Sequence, residues 1–314
     1  MKVLSLFDGI SCGRVALERA NIQVDAYYAS EIDEKAIAIT QRNYPDTIQL
    51  GSVLDWRDWD LPDVDLVMGG SPCQGFSVAG KRLNFDDARS RLFFEFLEVV
   101  RTLKPRWFLL ENVVMDEKIQ EAISLELGCR PVLIDSALVS AQQRLRLYWT
   151  NIPNLSPPQD KGIALSSILE TETDWKPAKI VGRNINPATN RRSRSSTDPL
   201  IQCVEVRKQH KATRDKAFCL TTLDKDSVIS NMRGGPHQDA YGKLRDRWRA
   251  FTITEYERLQ TLPDGYTAGV SESARKTTIG NGWTVDVIAH IFSLTTEEGQ
   301  AAHARRGLGE WFND

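Results

Sequence analysis

VLSLFDGISCGRVALERANIQVDAYYASEIDEKAIAITQRNY, residues 3–44, decides the fold. VLSLF (3–7) is a short apolar run that stops at Asp8-Gly9, and a helix-like stretch follows from about Gly13 to Ala20. VDAYYAS (24–30) reads as a second strand and EKAIAITQRNY (34–44) as a second helix. Farther on, TIQLGS, DLVMGG and WFLLEN read as short buried strands, with RLFFEFLEVVRTLK an amphipathic helix before the last of them. Alternation of this kind implies crossover connections. The expected class is α/β, with a doubly wound, mostly parallel sheet covered on both faces.

Ligands of such sheets sit beyond the carboxyl ends of the strands, so chemistry is expected in the residues that follow each one. In order these are Asp8-Gly9, Glu31, Gly51-Ser52, Ser71-Pro72-Cys73 and Glu111-Asn112. The first turn, FDGISCG (7–13), is not the G-x-G-x-x-G that sets a helix amino terminus against a pyrophosphate. Glu31 stands where a carboxylate can accept hydrogen bonds from ribose hydroxyls. A nucleoside cofactor without phosphates, such as S-adenosylmethionine, therefore fits better than NAD.

DLVMGGSPCQGFSVAGKR (65–82) runs a strand into Gly69-Gly70 and sets Cys73 between Pro72 and Gln74 on the same edge. A thiolate is a strong nucleophile once its pKa is lowered. A carboxyl such as Glu111 donates a proton only if its surroundings keep it protonated near neutrality. With a pyrimidine between the two, addition of sulfur to C6, with hydrogen bonding or protonation at N3, makes C5 a nucleophile able to attack a sulfonium methyl. The plain alternative, a structural cysteine near an unrelated acid, would suffice for either residue alone.

A chain of 314 residues suits one large domain with a smaller one attached, and 41% hydrophobic with 26% charged residues argues against wholesale disorder. The cysteines at 12, 73, 129, 203 and 219 are scattered, with no Cys-x-x-Cys. That pattern speaks against zinc and a disulfide framework and suits a reducing cytosol. MKVLSLFDG has too short an apolar run for a signal peptide or a membrane span. The net charge of −2 hides an asymmetry: residues 176–216 hold eleven Lys and Arg against Asp198, Glu205 and Asp215, a net +8. RRSRS (191–195) alone would read as a solvated loop, but over the whole stretch, with Asn184, Asn186, Asn190, Gln202 and Gln209 interspersed, a nucleic-acid face is the better reading.

Eight motifs, in order, resemble the DNA (cytosine-5) methyltransferase family. They are FDGISCG (7–13), SEID (30–33), GGSPCQGFS (69–77), RSRLFF (89–94), ENV (111–113), QQRLR (142–146), TITEYERLQTLPDGY (252–266) and GNGWTV (280–285). The wording is closest to the animal de novo branch and to bacterial and phage single-domain enzymes. The resemblance implies a Rossmann-like S-adenosylmethionine-dependent catalytic domain with a smaller, mainly irregular and β target recognition domain. It implies 1–156 as the first part of the catalytic domain, 157–264 as recognition domain and hinge, and 265–314 as the return.

The resemblance also implies roles. Cys73 would attack C6, Glu111 would engage N3 and the exocyclic amine, Arg146 would hold O2, and Arg144 would brace the site or contact phosphate. Phe7 would stack on adenine and Glu31 bind the ribose, with Asp8, Gly9, Ile10, Ile32, Ser52, Val53 and Pro72 completing the cofactor site. Asn281, Gly282 and Trp283 would support cofactor and cysteine loop. Gln74, Ser77, Arg89 and Asn112, with Arg183, Arg191, Arg192, Arg207 and Lys208, would meet DNA, Ser77 and Arg89 from the loop that closes over a flipped base. One departure stands out. Where relatives often carry an acid for the adenine amino group, this chain has Ser52, and Asp55 is the available substitute.

The expected partner is double-stranded DNA with a short recognition sequence, and no metal or membrane is expected. The expected state is a monomer or weak homodimer in the cytoplasm of a bacterial or phage-infected cell. Three alternatives are a cytosine-5 transferase acting on transfer RNA, a folate-dependent pyrimidine hydroxymethylase and a catalytically silent DNA-binding regulator. The strand-end acid and GNGW oppose the second, and an intact Cys73, Glu111 and Arg146 oppose the third.

Overall fold

The computed structural model describes residues 1–71, 88–170, 176–177, 200–205, 212–213, 216–217, 227–232, 247–297 and 299. Residues 88–90 and the strands of a smaller sheet are described by their backbone. The first half alternates as the apolar runs require: β1 (Lys2–Leu6), α1 (Cys12–Arg19), β2 (Ala26–Ser30), α2 (Glu34–Asn43), β3 (Ile48–Gln49), β4 (Leu66–Gly69), α3 (Ala88–Leu103), β5 (Trp107–Val113) and α4 (Glu117–Leu127). Asp33 and Asp116 start α2 and α4 by accepting from the backbone N–H two residues on, and Gly128 ends α4 at φ 71°. β6 (Val132–Asp135) and β7 (Leu145–Thr150) follow.

These strands form one seven-stranded sheet in the order β3-β2-β1-β4-β5-β7-β6. All neighbours are parallel except β7, which runs antiparallel to both β5 and β6. The central strands are apolar at both parities because both faces are covered. Val3, Leu66, Met68, Leu109 and Tyr148 face a core shared with α1 and with the closing helix of the fold. Leu4, Leu6, Val67, Leu110 and Trp149 face a second core built on Phe93, Phe96 and Leu97 of α3 and Ile119 and Ile123 of α4. β3 differs from the buried strand expected of TIQLGS. It is a two-residue edge strand with Ile48 45% exposed, because only β2 pairs with it.

The smaller sheet is antiparallel throughout. It contains β8 (Lys176–Pro177), β9 (Leu200–Glu205), β10 (Ala212–Thr213), β11 (Ser227–Met232) and β12 (Arg247–Ala250), ordered β10-β9-β11-β12-β8. Of KAFCLTT (216–222) only Lys216 and Ala217 are described, and the glycine turn after Met232 lies outside the described residues. The chain then returns through α5 (Ile253–Leu259), α6 (Glu272–Asn281) and α7 (Val285–Ser293). Thr252 and Glu255 cap α5 reciprocally. α7 packs against the first core, where Arg19 of α1 meets Asp286 at 2.5 Å.

The turn between α5 and α6 is gathered by one carboxylate. Glu257 is fully buried and accepts from the backbone of Gly265 (2.7 Å) and Thr267 (2.8 Å), from the Thr267 hydroxyl (2.5 Å) and from Arg275 (3.0 Å). Its removal would leave a partly buried guanidinium and two backbone donors without this acceptor. Glu257→Ala is expected to lower the free energy of unfolding by about 3 kcal/mol or more. Urea titration reads this as an earlier midpoint at unchanged slope.

Candidate active site

The order of strands reverses between β1 and β4, and Leu6 is in register with Gly69, so the turns after these strands open side by side. The first turn is wound through left-handed residues at Phe7 (φ 57°), Gly9 (φ 60°) and Ser11 (φ 56°). For Phe and Ser that conformation costs about 1–3 kcal/mol each and persists only where neighbours impose it. Here they do. Asp8 donates its N–H to the Ser30 carbonyl (3.1 Å), and its carboxylate accepts from Ser11 (2.5 Å) and Tyr27 (2.7 Å). Tyr266 donates to the Ile10 carbonyl at 2.7 Å. Burial pushes the Asp8 carboxyl up to about 6, against the lowering effect of the Ser11, Ser5 and Tyr27 hydroxyls and with a small upward contribution from Glu31.

Glu31 lies beside this turn. Its Oε2 accepts from Gly9 N–H (2.7 Å) and its Oε1 from Ile32 and Asp33 N–H (2.7 and 2.9 Å). Ile32 is 75% exposed and Phe7 is half-buried. Ser52 ends the third strand's turn and is itself a cap, accepting from Leu54 N–H at 3.2 Å, while Asp55 is exposed. Ile10 and Val53, expected at the cofactor, are core residues at 0% and 4% exposure. Their side chains serve packing, because each follows a turn residue and points back under the sheet edge.

Pro72, Cys73, Gln74 and Ser77 lie outside the described residues, but the structure shows what stands where their loop departs. Glu111, on β5, meets Arg146 Nε of β7 at 3.0 Å through Oε1 and accepts from Trp283 Nε1 at 3.1 Å through Oε2. Gly70 lies against this contact. A Cβ there would come within 3.0 Å of both Glu111 Oε2 and Trp283 Nε1, so only glycine lets the backbone pass. Asn112, expected at DNA, is 2% exposed and donates to the Ser71 carbonyl (3.2 Å) while its own oxygen accepts from Val113 N–H (2.8 Å). Its amide holds Ser71, the residue from which the cysteine loop departs.

Arg144 is 5% exposed. It donates to the carbonyls of Gly280 (3.2 Å) and Gly282 (3.0 Å) on either side of Asn281. Gln260 holds the same segment through the carbonyls of Ile279 (3.0 Å) and Gly282 (3.2 Å), and accepts from Thr284 at 2.8 Å. Asn281 itself is exposed at the end of α6 and makes no side-chain hydrogen bond among the described residues. Arg89 sits in the first turn of α3 rather than in the loop before it. Arg183, Arg191, Arg192, Arg207 and Lys208 lie outside the described residues.

Sequence reasoning gave no role to Gln260, although it lies within TITEYERLQTLPDGY, or to Lys216, which lies in no motif. Lys216 Nζ donates to the carbonyls of Ala137 (2.6 Å), Ser140 (2.9 Å) and Ile163 (2.7 Å). Ala217 N–H donates to Ala141 O (2.6 Å) and its carbonyl accepts from Gln143 N–H (2.8 Å), immediately before Arg144.

The profile of the C-5 cytosine-specific DNA methylases matches residues 1–122 and 133–296. The chain belongs to this family. It is 28% identical over 301 residues to the Type II methyltransferase M.NlaX of Neisseria lactamica, a match covering 92% of this chain and 94% of that protein. It is 38% identical over 117 residues to the Type II methyltransferase M.NgoBV of Neisseria gonorrhoeae, where the match covers 36% of this chain and spans only 28% of the relative. Its fold is similar to that of a DNMT2 mutant of Spodoptera frugiperda, with a TM-score of 0.64 at 20% identity, over 94% of this chain and 99% of that one.

S-adenosylmethionine is the methyl donor of C-5 cytosine methylases, and the residues present fit it. Glu31 offers a preset carboxylate for ribose hydroxyls, Phe7 and Ile32 offer apolar faces for a purine, and a side chain added at Gly9 would meet open space. The turn residues 7–11, 31–33 and 50–53 contain no Lys or Arg that would ask for a phosphate.

The raised pKa of Asp8 has a consequence for stability. A proton that stays bound up to about 6 in the folded chain leaves near 3.8 in the unfolded one, so stability is full below the lower value and is lost as pH rises through the higher. Compared with Asp8→Asn, the wild-type protein is expected to lose at most about 3 kcal/mol between those limits. Denaturant titrations at pH 4 and pH 7 check it, and a parallel pH dependence in both proteins would refute it.

Proposed function

We propose that this protein transfers a methyl group from S-adenosylmethionine to C5 of a cytosine flipped out of a short double-stranded DNA recognition sequence, as a Type II methyltransferase of the restriction–modification kind. The observation that carries this reading is the meeting of Glu111, Arg146 and Trp283 over Gly70, where the loop to Cys73 leaves the edge shared with Glu31.

The cofactor supplies an electrophilic sulfonium methyl. Cys73, as thiolate, adds to C6, and the displaced electron pair is delivered to C5 while Glu111 engages N3 and the exocyclic amine. Arg146, paired with Glu111, would hold the cytosine O2. Once C5 carries the methyl group, loss of its proton to water returns the electrons of the Cys73–C6 bond to sulfur and frees the thiolate. Arg144 works at one remove, fixing the Gly280–Gly282 carbonyls. Gln74, Ser77 and Arg89 would approach DNA from the loop and helix above the base. Arg183, Arg191, Arg192, Arg207 and Lys208 would supply the salt-dependent phosphate contacts. Extruding the base costs a few kcal/mol of stacking and pairing, which those contacts offset.

The same reading divides the chain into 1–156, 157–264 and 265–314. Phe251, Tyr256, Leu259 and Leu262 belong to the first core, which supports a return of the chain to the catalytic domain near the end of the middle segment. It also places the protein in the cytoplasm as a monomer or weak homodimer. Among the described residues, no helix is long and apolar enough to cross a membrane and no group of His, Cys, Asp and Glu is placed to hold a metal.

Incubation with tritiated S-adenosylmethionine and either duplex DNA or transfer RNA, followed by bisulfite sequencing, tests the activity. Label at C5 of cytosine in one short DNA context is expected; label in transfer RNA alone overturns the substrate. Cys73→Ser should abolish transfer while DNA binding persists, and Glu111→Gln should slow transfer by about 100-fold or more with the fold intact.

A further inference from the structure

Trp283 belongs to the segment expected to hold the cofactor, yet its indole N–H is committed to Glu111 at 3.1 Å. Indole is a donor only, so this contact has one sense. Arg146 Nε meets the other oxygen of the same carboxylate at 3.0 Å, and two separately placed donors fix its rotation. The contact crosses directly over Gly70, whose added Cβ would touch both partners at 3.0 Å.

The segment that presents the ring is anchored from behind. Arg144 and Gln260 converge on the Gly282 carbonyl, and the backbone of Trp283 donates to the Cys12 thiol, which burial pushes up to about 12 and keeps protonated. None of these anchors is placed to meet a base. Among the described residues, Arg146 pairs with Glu111, whose charge also reaches the Tyr148 hydroxyl.

We propose that Trp283 is a positioning residue for Glu111, its indole N–H fixing one carboxylate oxygen so that the remaining lone pairs face the N3 edge of the cytosine. A ring that only covered the cofactor would need no donor aimed at β5. The proposal deepens the function given above and rests on it for its kinetic part, but the hydrogen bond can be tested without any substrate.

In protein labelled with nitrogen-15 at tryptophan, the Trp283 indole is one of eight such signals and is assigned by its loss in Trp283→Phe. The expected result is a displacement of that signal in Glu111→Gln relative to the wild-type protein, because the charged acceptor of the indole N–H is replaced by a neutral one. A signal indifferent to Glu111→Gln overturns the proposal, whether or not DNA is methylated. Gly70→Ala, which pushes a methyl group into the same contact, should displace the signal as well. In the methylation assay, Trp283→Phe keeps an aromatic ring and should lower kcat by about 10- to 100-fold. KM for S-adenosylmethionine should stay within about threefold of wild type. An unchanged kcat with a raised KM would return Trp283 to a cofactor contact alone. If the wild-type protein labels no DNA, the activity reading fails and the indole signal in Glu111→Gln still decides this one.

Discussion

The parallel pairing of β1 with β4 is the constraint on which the rest of the molecule depends. Leu6 and Gly69 end at the same level, so two chemically unlike turns, one shaped for a nucleoside and one leading to a thiol, open a few ångströms from each other. Neighbouring strands inherit that level. β2 delivers Glu31 on one side and β5 delivers Glu111 on the other, each in the residues where its strand gives out. The site is a property of sheet register before it is a property of any side chain.

The polar interior beside this edge works by holding backbone. Arg144, Gln260 and Asn112 are buried, and the described bonds of their side-chain donors go mainly to carbonyl oxygens of short connecting segments. Carbonyls buried in irregular segments carry a desolvation cost unless a donor reaches them. Side chains placed in this way fix the GNGW turn and the first step of the cysteine loop in one geometry. Precision at the base would thus come from groups that never touch it.

Much of this was legible in the sequence, and the reasons for the exceptions are physical. β1, β2, β4 and β5 announced themselves because strands covered on both faces are continuously apolar. β3 was misjudged as buried, because Ile48 and Leu50 give the right composition but composition does not say that a strand has one neighbour. QQRLR gave no sign in its composition that its last two residues begin a strand, yet Leu145 and Arg146 lie within β7, where Arg146 stands opposite Val113 and reaches the neighbouring same-face Glu111. Asn112 and Trp283 show the same limit from opposite sides. A motif identifies which residues share a function, but burial and hydrogen-bond partners decide which of them face a ligand and which hold the others, and those partners lie 41 positions away for Asn112 and 172 for Trp283.

The bridge made by Lys216 and Ala217 reaches beyond catalysis. These two residues lie within 157–264, the stretch proposed above as recognition domain and hinge, yet their bonds are to Ala137, Ser140, Ala141, Gln143 and Ile163 of the catalytic scaffold. The bridge falls in the chain between β10 and β11, while β9 pairs with β11 and β8 with β12, so the strands before and after it belong to one sheet. An exchange of this stretch between relatives would have to carry those strands together and keep Lys216-Ala217, because the bridge abuts Gln143, two residues before the strand that carries Arg146.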